Sequence, residues 1–100
     1  MEFALGLTLI RLQRHDEAMA LLGRAYQTRP ETIRFGYVYA VAQFDTGKRV
    51  AALRTLEHMH KRYPANRDLL QLLVGYNQQM GRRSAAQKYA EKLERLRVPN

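Results

Sequence analysis

Apolar residues recur along this chain at the spacing of an α-helix, not at the alternation of a β-strand. One series contains Leu69, Leu73 and Tyr76, and another contains Tyr89 and Leu93. Strict alternation of apolar and polar residues is missing, so we expect no strands. The pattern predicts six helices, with approximate spans of 2–12, 15–28, 31–46, 48–62, 66–80 and 82–97.

Residues that end or begin helices stand where these spans require them. Pro30 and Pro64 follow the second and fourth predicted helices and block their continuation. Asn66 is a suitable N-cap for the fifth helix. Gly47 and Gly81 lie between paired helices, where a tight turn often needs a residue without a side chain. The six spans therefore separate into three helical hairpins.

The chain repeats itself at a fixed interval of about 34 residues, which we call the repeat interval. It separates Ala18 from Ala52 and Ala52 from Ala86, and it also separates the two prolines and the two turn glycines. A small residue permits close contact between helices, whereas proline and glycine act on the backbone, so the three spacings have separate causes. A fixed period of this length predicts stacked helical repeats. We expect one domain over residues 1–100, with repeats at roughly 1–32, 33–66 and 67–100, cut from a longer array.

The residues at these repeated positions resemble those of the tetratricopeptide repeat (TPR) family. The residues at the family's positions are Leu5, Gly6, Ala18, Leu22, Ala25 and Pro30, then Tyr39, Ala40, Gly47, Ala52, Leu56, Met59 and Pro64, then Leu70, Leu73, Gly81, Ala86, Ala90 and Leu93. Met59 and Leu93 stand where the family has alanine. The resemblance implies an all-α fold, a right-handed superhelix of three hairpins, and a protein-binding role without catalysis. Gln43 and Asn77 depart from the family, which has an aromatic residue at their position, so we expect altered packing there.

A narrower resemblance involves residues 34–42 and 64–70. These segments are similar to the C-terminal repeats of bacterial multihaem-cytochrome-like proteins with TPR tails. The sequence has no cysteine, and therefore no haem-attachment motif. We expect no cofactor.

The resemblance also implies a concave groove lined by the first helix of each hairpin. We expect this groove to hold a helix or extended peptide of a protein partner, with apolar contacts in one half and amide contacts in the other. The predicted groove residues are Phe3, Leu7, Ile10, Arg11, Arg34, Tyr37, Val41, Phe44, Gln71 and Gln78. The alternative for the apolar members is that they belong to the core between helices.

The first predicted helix is apolar on more than one face. A helix of this kind is normally buried on more than one side, and one neighbouring helix covers only one side. We therefore expect homo-oligomers, with a self-association surface formed by Phe3, Leu5, Leu9 and Leu12.

The net charge of +8 leaves nucleic acid as a further candidate partner. A basic stripe with stacking tyrosines would comprise Arg49, Arg54, Arg62, Arg82, Arg83 and Lys88 with Tyr63 or Tyr89. Acidic residues interrupt the stripe, which favours an ordinary solvated helix face. We therefore do not expect nucleic acid as the partner.

Catalysis and metal binding have little support in the sequence. His58 and His60 are two residues apart, so on a helix they point in different directions and make a poor metal pair. We expect surface histidines and no catalytic, metal or cofactor residues. The apolar stretch from Phe3 to Ile10 is too short to cross a membrane. The compartment stays open between the cytoplasm and, for a piece of a secreted parent, the periplasm.

Overall fold

Six α-helices follow one another in a computed structural model that describes residues 2–11 and 14–97, with side chains for all of these except residues 8–11. The helices are α1 (Glu2–Arg11), α2 (His15–Thr28), α3 (Ile33–Asp45), α4 (Arg49–Arg62), α5 (Arg67–Gln79) and α6 (Arg83–Arg95). The described residues contain no strand. The predicted all-α fold is confirmed, and the predicted helix ends differ from the observed ones by two residues or fewer.

The repeat interval is visible in the hydrogen bonds of the backbone. The even-numbered helices begin at His15, Arg49 and Arg83, which are separated by this same interval. In each of these helices the repeated alanine donates its amide hydrogen to the carbonyl oxygen four residues earlier, at 3.0 Å. Ala18 and Ala52 are completely buried, and Ala86 is nearly so. The spacing seen in the sequence thus corresponds to equivalent structural positions.

Two helices end in the same glycine-dependent turn. The amide of Lys48 donates to the carbonyl of Gln43 at 2.8 Å, and the amide of Arg82 donates to the carbonyl of Asn77 at 2.8 Å. Gly47 and Gly81, which precede these donors, have φ angles of 89° and 72°. This is the Schellman arrangement, in which a left-handed residue lets the chain satisfy the last carbonyls of a helix. It reverses the chain between α3 and α4 and between α5 and α6.

The turn from α4 to α5 is fixed by a side chain. The Asn66 side-chain oxygen accepts a hydrogen bond from the Leu69 amide at 3.0 Å. This bond satisfies one of the amides that a helix leaves free at its N-terminus. The predicted N-cap is confirmed. Glu31, in contrast, lies in the turn that precedes α3 rather than inside the helix.

The chain forms two compact units, one that ends at Thr55 and one that begins at Leu56. The core of the first unit contains Met19, Leu22 and Ala42, with Phe3, Val38 and Tyr39 packed against it. Helices α1 and α2 come very close, because a Cβ atom added to Gly6 would lie 2.9 Å from Leu22. A side chain at this position would therefore force Leu22 or one of the helices to shift.

The core of the second unit is built mainly from leucines. The fully or almost fully buried members are Leu56, Met59, Leu69, Leu70 and Leu73. Tyr76 and Tyr89 are also buried, at 7% and 8% exposure. This unit therefore gains most of its stability from aliphatic burial on α4 and α5.

Gln43 and Asn77, which stand where the family has an aromatic residue, are buried polar groups with partners. Gln43 is buried, and its side-chain oxygen accepts a hydrogen bond from the Thr55 hydroxyl at 2.7 Å. The Asn77 side-chain amide is buried and donates to the carbonyl of Leu73 at 2.7 Å. A satisfied buried polar group avoids the free-energy cost of an unpaired one. The expected change in packing is thus a replacement of aromatic contacts by local hydrogen bonds.

No helix in the described part of the chain has the length and apolar character needed to cross a membrane.

Substitutions of Gly81, which lies in a turn, and Gly75, which lies inside a helix, test this account of the turns. Gly81→Ala places a side chain in the left-handed region and should lower the free energy of unfolding by about 1–2 kcal/mol. Gly75 lies inside α5, and a Cβ atom added there would have no neighbour within 4 Å. Gly75→Ala should therefore raise the free energy of unfolding by about 0.4–1 kcal/mol. Urea unfolding followed by circular dichroism measures both, and equal effects of the two substitutions would contradict the turn assignment.

Candidate functional site

The predicted groove residue Phe3 is held by an aromatic contact with α3. The rings of Phe3 and Phe35 have their centroids 4.5 Å apart and are tilted by 31°. The guanidinium of Arg34 lies 5.5 Å from the centre of the Phe3 ring, within the range of a cation–π contact. Phe3 is half-buried by these contacts, while Arg34 is exposed. Phe3 and Arg34, two predicted groove residues, are therefore in contact, and Phe35, which was not predicted, lies against Phe3.

Leu7 and Val41 border one cavity of about 290 Å³ in the first unit. Both predicted groove residues are half-buried, so each keeps part of its surface accessible. The other residues around this cavity are Met19, Val38, Ala42, His15, Asp45 and Thr46. An apolar floor with a few polar groups at the edge is typical of a surface that recognises a ligand. We call this cavity the α1–α3 cavity.

Phe44 is buried instead of lining a surface. Its exposure is 6%, and the guanidinium of Arg49 lies 5.0 Å from the centre of its ring. This geometry favours the alternative stated for Phe44, a role in the core. Tyr37 is half-buried on the same helix.

Some predicted residues lie outside the described part of the molecule. The side chains of Leu9, Ile10 and Arg11 are not described, and neither is any part of Leu12. Of the predicted self-association surface, Phe3 is engaged with Phe35, and Leu5 is 51% exposed. Leu5 is thus the described member of this surface that is most available for contact.

A larger cavity, of about 530 Å³, lies at the start of α1. Its walls are Glu2, Phe3, Ala4, Ala25, Thr28, Arg29 and Phe35. Beside it, a carboxylate oxygen of Glu2 lies 3.7 Å from the guanidinium of Arg24 on α2. Both side chains of this pair are well exposed, so the pair contributes little to stability.

In the second unit, Gln71 and Gln78 are exposed on α5. They are seven residues apart, which places them on the same helix face. Gly75 lies between them and leaves the space above the backbone open. This face offers amide groups that both donate and accept hydrogen bonds.

The expectation of surface histidines is wrong for His60, whose exposure is only 8%. Burial lowers the pKa of His60 below its ordinary value of 6.5, and the nearby charges of Lys92 and Lys88 lower this pKa further. The signal that could have revealed this burial is the repeat itself. His60 follows Tyr26 by one repeat interval, and Tyr26 packs against Tyr39 with ring centroids 5.9 Å apart. Tyr26 is half-buried, whereas Glu94, one further repeat interval along, is exposed, so the repeat gives only a partial signal.

Tyr89, which was considered as a surface on which a nucleic-acid base could stack, is buried instead. It is 8% exposed, and burial raises its pKa above 10.0, with the charge of Glu57 raising this pKa further. The ammonium groups of Lys88 and Lys92 lie 5.8 Å and 5.6 Å from the centre of its ring. Tyr89 is therefore occupied by contacts within the protein.

The family model described as "Tetratricopeptide repeat" matches residues 9–73. The chain belongs to the tetratricopeptide repeat family. The predicted family is confirmed, and with it the general role of this TPR chain as a scaffold for protein–protein interaction. No curated protein matches the sequence at a significant level.

Solved structures show the same TPR fold. MamA AMB-1 superposes with a TM-score of 0.81 and 23% sequence identity, over 95% of this chain and 56% of that chain. MamA MSR-1 gives a TM-score of 0.81 and 22% identity, over 95% of this chain and 55% of that chain. A MamA mutant gives 0.81 and 22%, over 98% of this chain and 72% of that chain. The TPR chain thus spans little more than half the length of the first two structures.

Proposed function

We propose that this TPR chain binds a protein partner through α1 and α3, and that an apolar side chain of the partner enters the α1–α3 cavity. The observation that supports this proposal is the position of Leu7 and Val41 at one cavity, with both residues only half-buried. Apolar anchors that enter a cavity supply most of the binding energy in many protein interfaces. A partner helix presents such anchors at intervals of three or four residues.

Polar groups around the cavity would orient the partner. His15, Asp45 and Thr46 stand beside the apolar residues. The Thr46 hydroxyl already donates to the carbonyl of Ala42 at 2.8 Å, which fixes its position at the end of α3. Asp45 is exposed and can accept hydrogen bonds from a partner. These groups give the proposed site a preferred orientation for the bound segment.

The exposed amides of Gln71 and Gln78 are proposed as a second contact surface, on α5. Amide side chains can pair with the N–H and C=O groups of a peptide backbone. The proposal assigns Phe44 to the core and keeps Tyr37 and Arg34 as flanking contacts.

A pair of matched substitutions tests the proposed site. Val41→Asp puts a charge at the cavity, whereas Val50→Asp puts the same charge at a valine that is 47% exposed on α4. Each immobilised variant and the unchanged chain are used to capture proteins from an extract of the source cells, and the captured proteins are quantified by mass spectrometry. We expect at least one protein that is enriched equally by the unchanged chain and Val50→Asp, and about tenfold less by Val41→Asp.

Circular dichroism provides the control, because both variants must keep the helical signal of the unchanged chain. If Val41→Asp unfolds, the milder Val41→Ala replaces it in the same comparison. Identical captured proteins for the Val41 and Val50 variants would contradict binding at the cavity.

Self-association through α1 is a second candidate function, and the exposure of Leu5 favours it. A leucine with 51% of its surface exposed, on a helix that also carries the exposed Ala4, gives α1 an accessible apolar surface. Association of two such surfaces removes them from water. We propose that copies of the chain associate through this side of α1.

Sedimentation equilibrium of Leu5→Glu and Val50→Glu tests self-association. We expect the unchanged chain and Val50→Glu to form oligomers over a range of about 1–100 µM, because Val50 lies outside α1. Leu5→Glu should remain at the monomer mass of 11.7 kDa, since a carboxylate would be buried at the interface. A monomeric unchanged chain across this range, or equal masses for all three proteins, would contradict this candidate.

A further inference from the structure

A group of polar side chains joins α4 to α6 inside the second unit. The Nε2 atom of His60 lies 3.4 Å from the Nζ atom of Lys92. The His60 ring meets the Tyr89 ring edge to face, with centroids 5.6 Å apart and an angle of 87°. The other ring nitrogen of His60, Nδ1, is buried without a hydrogen-bond partner. A buried histidine thus holds the two helices together through a lysine and a tyrosine.

This contact selects the neutral form of the histidine. A lysine ammonium only donates hydrogen bonds, so Nε2 of His60 must accept, and the single ring proton must be on Nδ1. A second proton would place an N–H group on Nε2 opposite the ammonium of Lys92. Two positive charges would then face each other at 3.4 Å in a partly buried contact, where they repel more strongly than in open water.

The charged groups around His60 strengthen this preference. Both cations that act on it, Lys92 and Lys88, come from α6. On α4, Glu57 stands one turn earlier and acts on Tyr89. Helix α5 contributes Arg67 and Asp68 as charged residues, both exposed at its first turn, and the buried Tyr76 as a titratable one. Protonated His60 would therefore be surrounded mainly by positive charge on the side of α6.

We propose that protonation of His60 releases α6 from α4, so that the second unit carries an acid-sensitive latch. The two states differ in one proton on His60. In the released state Lys92 and the imidazolium ring separate and are both hydrated, and Tyr89 leaves its buried position. Release uncovers the surface of α4 around His60, while α6 keeps its packing on α5, and the uncovered surface becomes available for other contacts.

The direction of the pH dependence follows from the pKa of His60. In the unfolded chain the histidine takes up its proton near pH 6.5, whereas in the folded chain its pKa is lower. Contacts of α6 are therefore fully stable above pH 6.5 and weaken as the pH falls through 6.5 toward the lower pKa of the folded state. The chain should hold α6 closed at neutral pH and release it in mildly acidic solution.

Hydrogen exchange of α6 tests the latch. Amide exchange of residues 83–95 is measured by mass spectrometry at about pH 7.5 and pH 5, with correction for the intrinsic effect of pH on exchange. In the unchanged chain we expect protection of α6 to fall at acidic pH by about tenfold for each unit by which folding lowers the pKa of His60. His60→Phe keeps an aromatic ring at this position and has no titrating group, so its protection should be the same at both pH values.

His15→Gln is the matched control, because His15 is exposed on α2 and its loss should leave the acid response of α6 unchanged. Lys92→Gln gives an independent test that keeps His60. It removes the nearest cation, so the pKa of His60, followed by NMR, should rise toward 6.5, and the acid response should shrink. Equal protection of α6 at both pH values in the unchanged chain would overturn the proposal. So would an acid response of full size in both His60→Phe and Lys92→Gln.

Discussion

Close contact between paired helices is the constraint on which the rest of this structure depends. At Gly6, a single added Cβ atom would lie 2.9 Å from the Leu22 side chain, so α1 and α2 pack this closely without a shift because position 6 has no side chain. Ala18, on the facing helix, has no exposed surface, and Ala40 and Ala52, which follow Gly6 and Ala18 by one repeat interval, are equally buried. Protein interiors are packed too densely to accept larger side chains at such points. The small residues therefore permit the short distance between the paired helices at these points.

This packing determines which residues stabilise the core and which keep accessible surface for binding. In the first unit, Leu22 and Ala42 are used for the core, and the neighbouring Leu7 and Val41 keep accessible surface at a cavity. Family membership supports a protein partner, and the cavity gives that role a location to test. In the second unit the same kind of packing buries His60 against Tyr89, and this contact is the basis of the proposed acid-sensitive latch.

The sequence predicted those parts of the fold that depend on local backbone chemistry. The positive φ angles at Gly47 and Gly81, the N-cap at Asn66 and the helix-ending prolines are properties of single residues, so they can be recognised without coordinates. Whether a particular side chain is buried or exposed was predicted less well. Successive side chains on an α-helix point about 100° apart, so an error of one position moves a side chain from the surface to the core.

Phe44 illustrates this limit for the candidate site. It belongs to the helix predicted to line the groove, yet it is buried and covered by Arg49 from the next helix. That contact depends on how α3 and α4 lie against each other, which a single sequence does not specify. His60 is similar, since it packs against Tyr89 and contacts Lys92, two residues of α6 that lie far from it along the chain. The repeat interval gives only a partial signal, because it relates His60 both to the half-buried Tyr26 and to the exposed Glu94.

The most direct measurement of the central constraint compares two alanine-to-leucine substitutions by urea unfolding. Ala52 has no exposed surface, whereas Ala90 is exposed on α6. Forcing a larger side chain into a packed contact costs about 1–3 kcal/mol, and an exposed substitution changes stability by about 0.5 kcal/mol or less. The account predicts a loss of this larger size, or failure to fold, for Ala52→Leu and almost no change for Ala90→Leu. Equal stability of the two variants would contradict the claim that small residues determine how the paired helices pack.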